Sequence, residues 1–232
     1  DGVALSDGGA FSGVDTAVLK IINVSAAELG NFDVIVSNVS GSVTSSPAAL
    51  TLRSPSGYEA AAVAAGPVAL FMFEDLNDPF SGTAPAYDYA GDRDGTYGVG
   101  AQNGLYGIIG PTPGDGFPGF DNANTAARFF GFTPNSHVAL PGLDLNTNTV
   151  TLTAWINPGF PAAFSGVVFS RGDGTVAGMN FTGSVDINGR RTLGYTWNNE
   201  AGTYNWNSGI GPTSGVWSYV ALVITPTNAT VY

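Results

Sequence analysis

The sequence predicts an all-β protein, and three features of its composition support this fold class. Of the 232 residues, 33 are Gly and 14 are Pro, so turn-forming residues make up roughly a fifth of the chain, against a usual share of ~12%. Only 11% of the residues are charged, whereas 44% are hydrophobic and 12% are aromatic. A disordered chain carries more charge and fewer aromatic residues, and a helical bundle carries far less Gly and Pro. The composition therefore favours β-strands joined by many turns.

Charge and cysteine content exclude several classes of partner and site. The chain has 18 acidic and 7 basic residues, a net charge of −11, whereas nucleic acids and anionic membranes bind basic surfaces. The longest apolar stretch, residues 60–73, is interrupted by Gly66-Pro67 and is too short to span a bilayer. The chain has no Cys, so disulfides and thiolate metal sites are excluded. We expect neither nucleic-acid binding nor membrane insertion.

The first 52 residues predict a small antiparallel β-region. Apolar runs at 18–22, 32–37 and 42–52 are separated by Gly-, Asn- and Ser-containing turns at intervals of about ten residues. Such spacing is typical of strands in an antiparallel sandwich.

Residues 53–66 have a different character and are predicted to link two domains. Pro55 ends the preceding strand, and Ser56 stands three residues before Glu59, as in a capping box that begins a helix. The alanine-rich segment that follows should form a short helical turn, which Gly66-Pro67 ends.

Residues 67–232 predict a second and larger all-β domain. An opening strand is expected at 67–73, followed by a long turn-rich stretch at 77–124. Later strands are expected at 126–130, 137–140, 149–157, 166–170, 179–181, 193–197, 203–207, 217–225 and 229–232, with a hairpin around 198–202. Trp155 and Trp217 stand in long apolar runs and are expected in the core.

The first region resembles the C-terminal part of a bacterial immunoglobulin-like domain. The resemblance rests on residues 19–25 (LKIINVS), 28–34 (ELGNFDV) and 37–43 (SNVSGSV). It implies that Phe32 occupies the position of the family's corner tyrosine and Val34 that of its cysteine. The family's earlier strands are missing, so residues 1–52 are expected to be a partial domain.

The second region resembles the laminin-G-like, concanavalin-A-like jelly rolls of large exported bacterial proteins. The resemblance is carried by ordered blocks at residues 68–71 (VALF), 86–91 (AYDYAG), 94–97 (DGTY), 150–156 (VTLTAWI), 169–172 (FSRG), 195–197 (YTW) and 217–223 (WSYVALV). It implies an antiparallel jelly-roll sandwich over residues 67–232 that lacks its last strands, so the chain is expected to be truncated at both ends. It also implies an extracellular or cell-surface location.

An acidic loop is a candidate calcium site. Asp88, Asp92 and Asp94 stand close together in a glycine-containing segment, with Asp75 upstream, and calcium prefers carboxylate and loop carbonyl oxygens. Many laminin-G-like domains bind one calcium ion, so the resemblance points the same way. A solvated acidic loop, or Asp88 capping a turn, are the alternatives.

Four aromatic residues are candidate glycan contacts. Tyr195 and Trp197 share one strand face by the period of two, as do Tyr204 and Trp206 across the predicted turn. Together they could form a stacking platform for sugar rings, with polar contacts from the amides of Asn198, Asn199, Asn205 and Asn207. The alternative is that these rings only pack within the domain.

The residues give little support for catalysis. Concanavalin-A-like glucanases place two glutamates on one strand face, whereas Glu28, Glu59, Glu74 and Glu200 are scattered. His137 is the only histidine, so a catalytic triad would depend on it alone.

The sequence therefore predicts a non-catalytic module of a large exported bacterial protein, with a role in adhesion or extracellular assembly. The expected partners are glycans and other extracellular modules. Copies of the chain itself could also complete the partial first domain through strand addition, although the favoured expectation is that its missing strands are simply absent from this sequence. The alternative function is that of a carbohydrate-binding module, accessory to a glycoside hydrolase elsewhere in the parent protein.

Overall fold

The structure is a computed structural model that describes residues 2–50, 57–131, 133–143, 147–170, 176–204 and 206–232. The chain divides into two compact units, residues 1–55 and 56–232. All strand pairs between named elements are antiparallel, which confirms the predicted all-β, antiparallel class. Among the described residues no helix is long and apolar enough to cross a membrane.

The first unit consists of six short strands. They are β1 (Phe11–Ser12), β2 (Lys20–Ile21), β3 (Gly30–Phe32), β4 (Ile35–Asn38), β5 (Gly41–Thr44) and β6 (Ala48–Leu50). β1 pairs with β2, β3 with β6, and β4 with β5. The predicted run at 32–37 is divided into β3 and β4, and the run at 42–52 into β5 and β6.

Between residues 2 and 50, no described residue is fully buried. β4 and β5 form a two-stranded ribbon in which Val36 faces Val43, and both side chains are more than half exposed, at 60% and 67%. The immunoglobulin-like character of this unit stays a prediction.

The second unit contains one α-helix and nine strands among its described residues. They are α1 (Gly57–Ala64), β7 (Pro85–Ala86), β8 (Gly95–Tyr97), β9 (Val138–Ala139), β10 (Val150–Ile156), β11 (Gly166–Ser170), β12 (Ala177–Val185), β13 (Arg191–Thr196), β14 (Ser218–Ile224) and β15 (Ala229–Val231).

Two three-stranded sheets, β10-β14-β15 and β11-β12-β13, enclose the main hydrophobic core. Because side chains alternate along a strand, β14 directs Val220, Leu222 and Ile224 inward and leaves Tyr219 half exposed. The opposite sheet contributes Met179 and Leu193, which have no exposed surface.

A third sheet, β7-β8-β9, carries a smaller core around the buried ring of Tyr97. Residues 67–73, all described, do not form the predicted opening strand. Phe73 has a positive φ of 61°, which interrupts extended backbone. Residues 126–130 likewise form only one isolated bridge, between Arg128 and Gln102.

α1 belongs to the second unit, although residues 53–66 were predicted to be a linker. The N–H of Tyr58 donates to the carbonyl of Gly119 at 2.6 Å, and the Tyr58 ring stacks on Phe120 at 4.5 Å. The segment does not behave as a linker because Tyr58 gives the helix a large aromatic side chain. This side chain packs against the loop that contains Gly119 and Phe120. Ser56 of the predicted capping box lies outside the described residues.

In the range 203–207 the structure describes every residue except 205, and none of the described residues lies in a strand, so the predicted hairpin with 193–197 is wrong in its second strand. Ala201–Thr203 form a short 3-10 helix, and the partner of Leu193 is instead the segment at 208–210, through bonds to Ser208 and Ile210. The reason is local, since Asn198 and Asn199 both adopt positive φ and turn the chain before a second strand can begin.

Candidate functional site

Of the four rings predicted to form a glycan platform, two are half-buried and two are exposed. Tyr195 and Trp197 are half-buried and pack against the main core, as the packing alternative requires. Tyr195 also contacts Trp206, with ring centroids 5.2 Å apart and planes inclined at 58°.

Tyr204 and Trp206 are the exposed members of the group, at 46% and 38%. The Tyr204 hydroxyl donates to the carbonyl of Asn199 at 2.9 Å, which fixes this ring over the turn. Gly194 allows Trp206 to approach the sheet, because a Cβ at this position would collide with the Trp206 carbonyl oxygen. Asn205, one of the predicted polar contacts, lies outside the described residues.

The acidic loop is organised around the carboxylate of Asp88, which is buried. It accepts backbone N–H bonds from Leu70 at 2.8 Å, Ala90 at 2.9 Å and Arg93 at 3.3 Å. The backbone N–H of Asp88 donates to the carboxylate of Asp94 at 2.9 Å. These contacts are those of a turn cap, and they attach Leu70 to the loop.

Asp75 lies in the third sheet's core, where the Tyr97 hydroxyl donates to it at 2.6 Å. Burial raises the pKa of the Asp75 carboxyl. Burial also raises the pKa of Tyr97, and the bond to Asp75 raises it further. Asp92 is exposed, and within the described part of the chain no three acidic or histidine side chains form a group that could hold a metal ion.

A second aromatic group lies on the outer face of the β10-β14 sheet, centred on Trp155. This ring contacts Phe117 at 4.6 Å, Phe120 at 5.2 Å, Tyr219 at 5.3 Å and Tyr58 at 6.0 Å. Trp155 and Trp217 were both expected in the core, whereas both are half-buried and lie outside the main hydrophobic core. The neighbours of Trp155, Ala154 and Ile156, face that core, so alternation places Trp155 on the opposite face.

The same outer face continues into a cleft, here called the Trp217 cleft, of about 330 Å³. Its lining residues come from three segments and are Ile109, Asp115, Phe117, Asn157, Gly215, Val216 and Trp217. Asn157 follows β10 and Trp217 precedes β14, and the pairing of Ile156 with Ser218 places them side by side.

Sequence reasoning missed this cleft because its residues are distant along the chain. Alternation within β10 and β14 could have placed Trp155, Asn157, Trp217 and Tyr219 on one face. The register that brings the two strands together, and the approach of residues 109–117, depend on tertiary packing.

Comparison with known proteins bears on the C-terminal part of the chain. Residues 132–232 match a family model described as the concanavalin A-like lectin/glucanases superfamily, of laminin-G type. This part of the chain is therefore similar to a laminin-G-like domain. No curated protein and no solved structure matches the chain. The extension of the resemblance to residues 67–131 stays a prediction.

Proposed function

We propose that the chain is a non-catalytic binding module of a large exported bacterial protein, acting outside the cell in adhesion or extracellular assembly. The observation that carries this proposal is the ribbon of β4 and β5. Each of its strands has a paired neighbour on one side only among the described residues, and its valines are exposed. Open strand edges with apolar side chains pair readily with another chain.

A second copy of the chain is the proposed partner of this ribbon. The experiment is sedimentation velocity over a range of concentrations, with Val36→Lys as the disrupting variant. Lysine on an edge strand opposes strand addition, so self-association should be lost. Val39→Lys is the matched control, because Val39 is fully exposed in the turn beyond β4. A native chain that stays monomeric at every concentration, or an equal effect of both variants, would contradict the proposal.

A non-catalytic role is supported by the positions of the glutamates. Glu28 lies in a turn of the first unit and Glu59 in α1, whereas Glu74 and Glu200 lie in separate loops of the second unit. Concanavalin-A-like glucanases carry their two glutamates on one strand face, and none of these four glutamates lies in a strand.

Carbohydrate binding is the second candidate function, and the exposed Trp206 beside Tyr195 favours it. Half-exposed aromatic rings can stack on the apolar faces of sugars, because stacking buries the apolar surface of both partners. Binding should be screened on a glycan array and quantified by calorimetry with Trp206→Ala. The control is Phe160→Ala, since Phe160 is 98% exposed and lies outside the ring group. Equal binding by both variants would remove this candidate.

Calcium binding at Asp75, Asp88, Asp92 and Asp94 also remains a proposal. It predicts that calcium raises the melting temperature of chelator-treated protein, because a ligand that binds only the folded state stabilises it. An unchanged melting temperature would contradict it.

A further inference from the structure

Two hydrogen bonds connect the chain segments that flank the Trp217 cleft. The Gly215 N–H donates to the Pro158 carbonyl at 2.8 Å, and the Ser214 hydroxyl donates to the Gly159 carbonyl at 2.6 Å. These bonds join the segment after β10 to the segment before β14. Together with the pairing of Ile156 and Ser218, they hold Asn157 and Trp217 beside each other.

Asp115 is positioned at this cleft by its own local contacts. The backbone N–H and the hydroxyl of Thr112 donate to Asp115 Oδ2 at 3.0 Å and 2.8 Å. Both of these bonds end on the same oxygen, so neither of them uses the lone pairs of Oδ1. Thr112 therefore orients the Asp115 carboxylate and leaves its negative charge in place.

The lining chemistry suits a positive charge. Phe117 and Trp217 supply two aromatic rings, Asp115 a carboxylate and Asn157 an amide oxygen. None of the described residues that line the cleft is Lys or Arg, and the chain as a whole carries a net charge of −11. Cations are attracted both to the faces of aromatic rings and to carboxylates.

The size of the cleft limits its occupant. At about 330 Å³ it lies at the lower end of the ~300–1,000 Å³ usual for small-molecule sites. One long side chain fits such a volume, whereas an extended oligosaccharide needs a longer groove.

We propose that the Trp217 cleft binds the cationic side chain of a lysine or arginine presented by a partner protein. The ammonium or guanidinium group lies between Asp115 and the rings of Phe117 and Trp217, and Asn157 accepts one of its hydrogen bonds. This inference goes beyond the proposed function and does not depend on self-association or on glycan binding.

The test is a titration of the full chain that is monitored through two NMR signals, those of the Trp217 indole N–H and of the Asn157 side-chain amide. The probes are acetylated, amidated Gly-Lys-Gly and Gly-Arg-Gly peptides. A peptide with norleucine in place of lysine keeps the apolar stem without the charge, and methyl glucoside represents a neutral sugar. We expect saturable shifts with the two cationic peptides only, weakening as salt is added.

Asp115→Asn removes the charge while keeping an oxygen that can accept the Thr112 N–H bond. It should weaken binding by about fivefold or more, given the strength of charge-assisted contacts. Asp33→Asn makes the same change of net charge in the other unit and should leave the affinity unchanged. Asn157→Asp adds a second carboxylate to the cleft and should strengthen binding by about threefold, which tests the proposal even if Asp115→Asn fails to fold.

Three results would overturn the proposal. The norleucine peptide could shift the same signals with equal affinity, which would identify an apolar groove. Methyl glucoside could bind more tightly than the cationic peptides, which would identify a sugar site. Asp115→Asn and Asp33→Asn could weaken binding equally, which would identify an effect of net charge alone.

Discussion

The hydroxyls of Thr182 and Thr192 face each other at 2.7 Å, and neither threonine has any exposed surface. They form a polar pair beside the main core, between β12 and β13. A buried polar group that loses its partner carries the cost of its desolvation.

Thr192→Val should therefore lower the free energy of unfolding by about 1–3 kcal/mol, because it leaves the Thr182 hydroxyl without this partner. Urea unfolding of the purified chain measures the change. The double variant Thr182→Val/Thr192→Val should cost less than the two single changes added together. Additive losses would mean that the hydroxyl pair makes no joint contribution.

Asp75 should make stability depend on pH. Burial raises its folded-state pKa above the usual value of 3.8, so the folded state holds the proton more strongly than the unfolded state. The resulting contribution to stability is complete below pH ~3.8 and is lost as pH rises through the raised pKa. The nearby charge of Asp94 acts in the same direction as burial, and the Tyr97 hydrogen bond opposes both.

Asp75→Asn removes this titration while keeping an oxygen that can accept from Tyr97. The difference in unfolding free energy, variant minus native, should rise as pH is increased from below 4 toward neutral. Urea unfolding at several pH values gives this difference directly. A constant difference, or one that falls with rising pH, would contradict the assignment.

At the scale of elements, β13 depends on a glycine for its approach to the segment at 206–210. The backbone of Trp206 lies directly against Gly194, and the Thr182 methyl group lies on the same side. Leu193 then pairs with Ser208 and Ile210. This close approach supports the contact between Trp206 and Tyr195.

Gly194→Ala should displace the Trp206 segment, because its added methyl group would overlap the Trp206 carbonyl. We expect a loss of stability of about 1–3 kcal/mol from overpacking and a changed tryptophan fluorescence spectrum. Gly189→Ala is a contrasting variant, since its Cβ would meet no neighbour, although its positive φ of 75° carries some strain. A fluorescence spectrum changed equally by both variants would contradict the role assigned to Gly194.

Sequence patterns predicted β10, β14 and β15 within two residues at each end, because long apolar strands with polar turns leave a clear alternation. They also predicted that Tyr195 and Trp197 share a face. They could not predict that Trp155 faces away from the main core, since the choice between two faces depends on which sheet covers each one. Residues 67–131 were predicted least well, because loop contacts such as those of Asp88 have no periodic pattern.

For the whole molecule, the two units should differ in local stability. The first unit has no fully buried residue between positions 2 and 50, whereas β12 is paired on both sides and lines the main core. Local stability follows burial and the protection of backbone hydrogen bonds.

Hydrogen exchange should therefore be much faster at the paired amides of β4 and β5 than at those of β12 and β13. Mass spectrometry of peptic fragments resolves the two regions. Under conditions that favour self-association through the ribbon, β4 and β5 alone should gain protection. Equal protection of both regions in dilute protein would contradict this division.

The docking of α1 also has a mechanical consequence. Tension that enters the second unit along the chain from residue 57 reaches this helix before any strand. α1 is held by the bond from Tyr58 to Gly119 and by the stacked Phe120 ring, whereas β10 is paired with β14 at seven positions. Under load the helix should detach first, releasing chain length and uncovering Trp155 while both sheets of the main core stay intact.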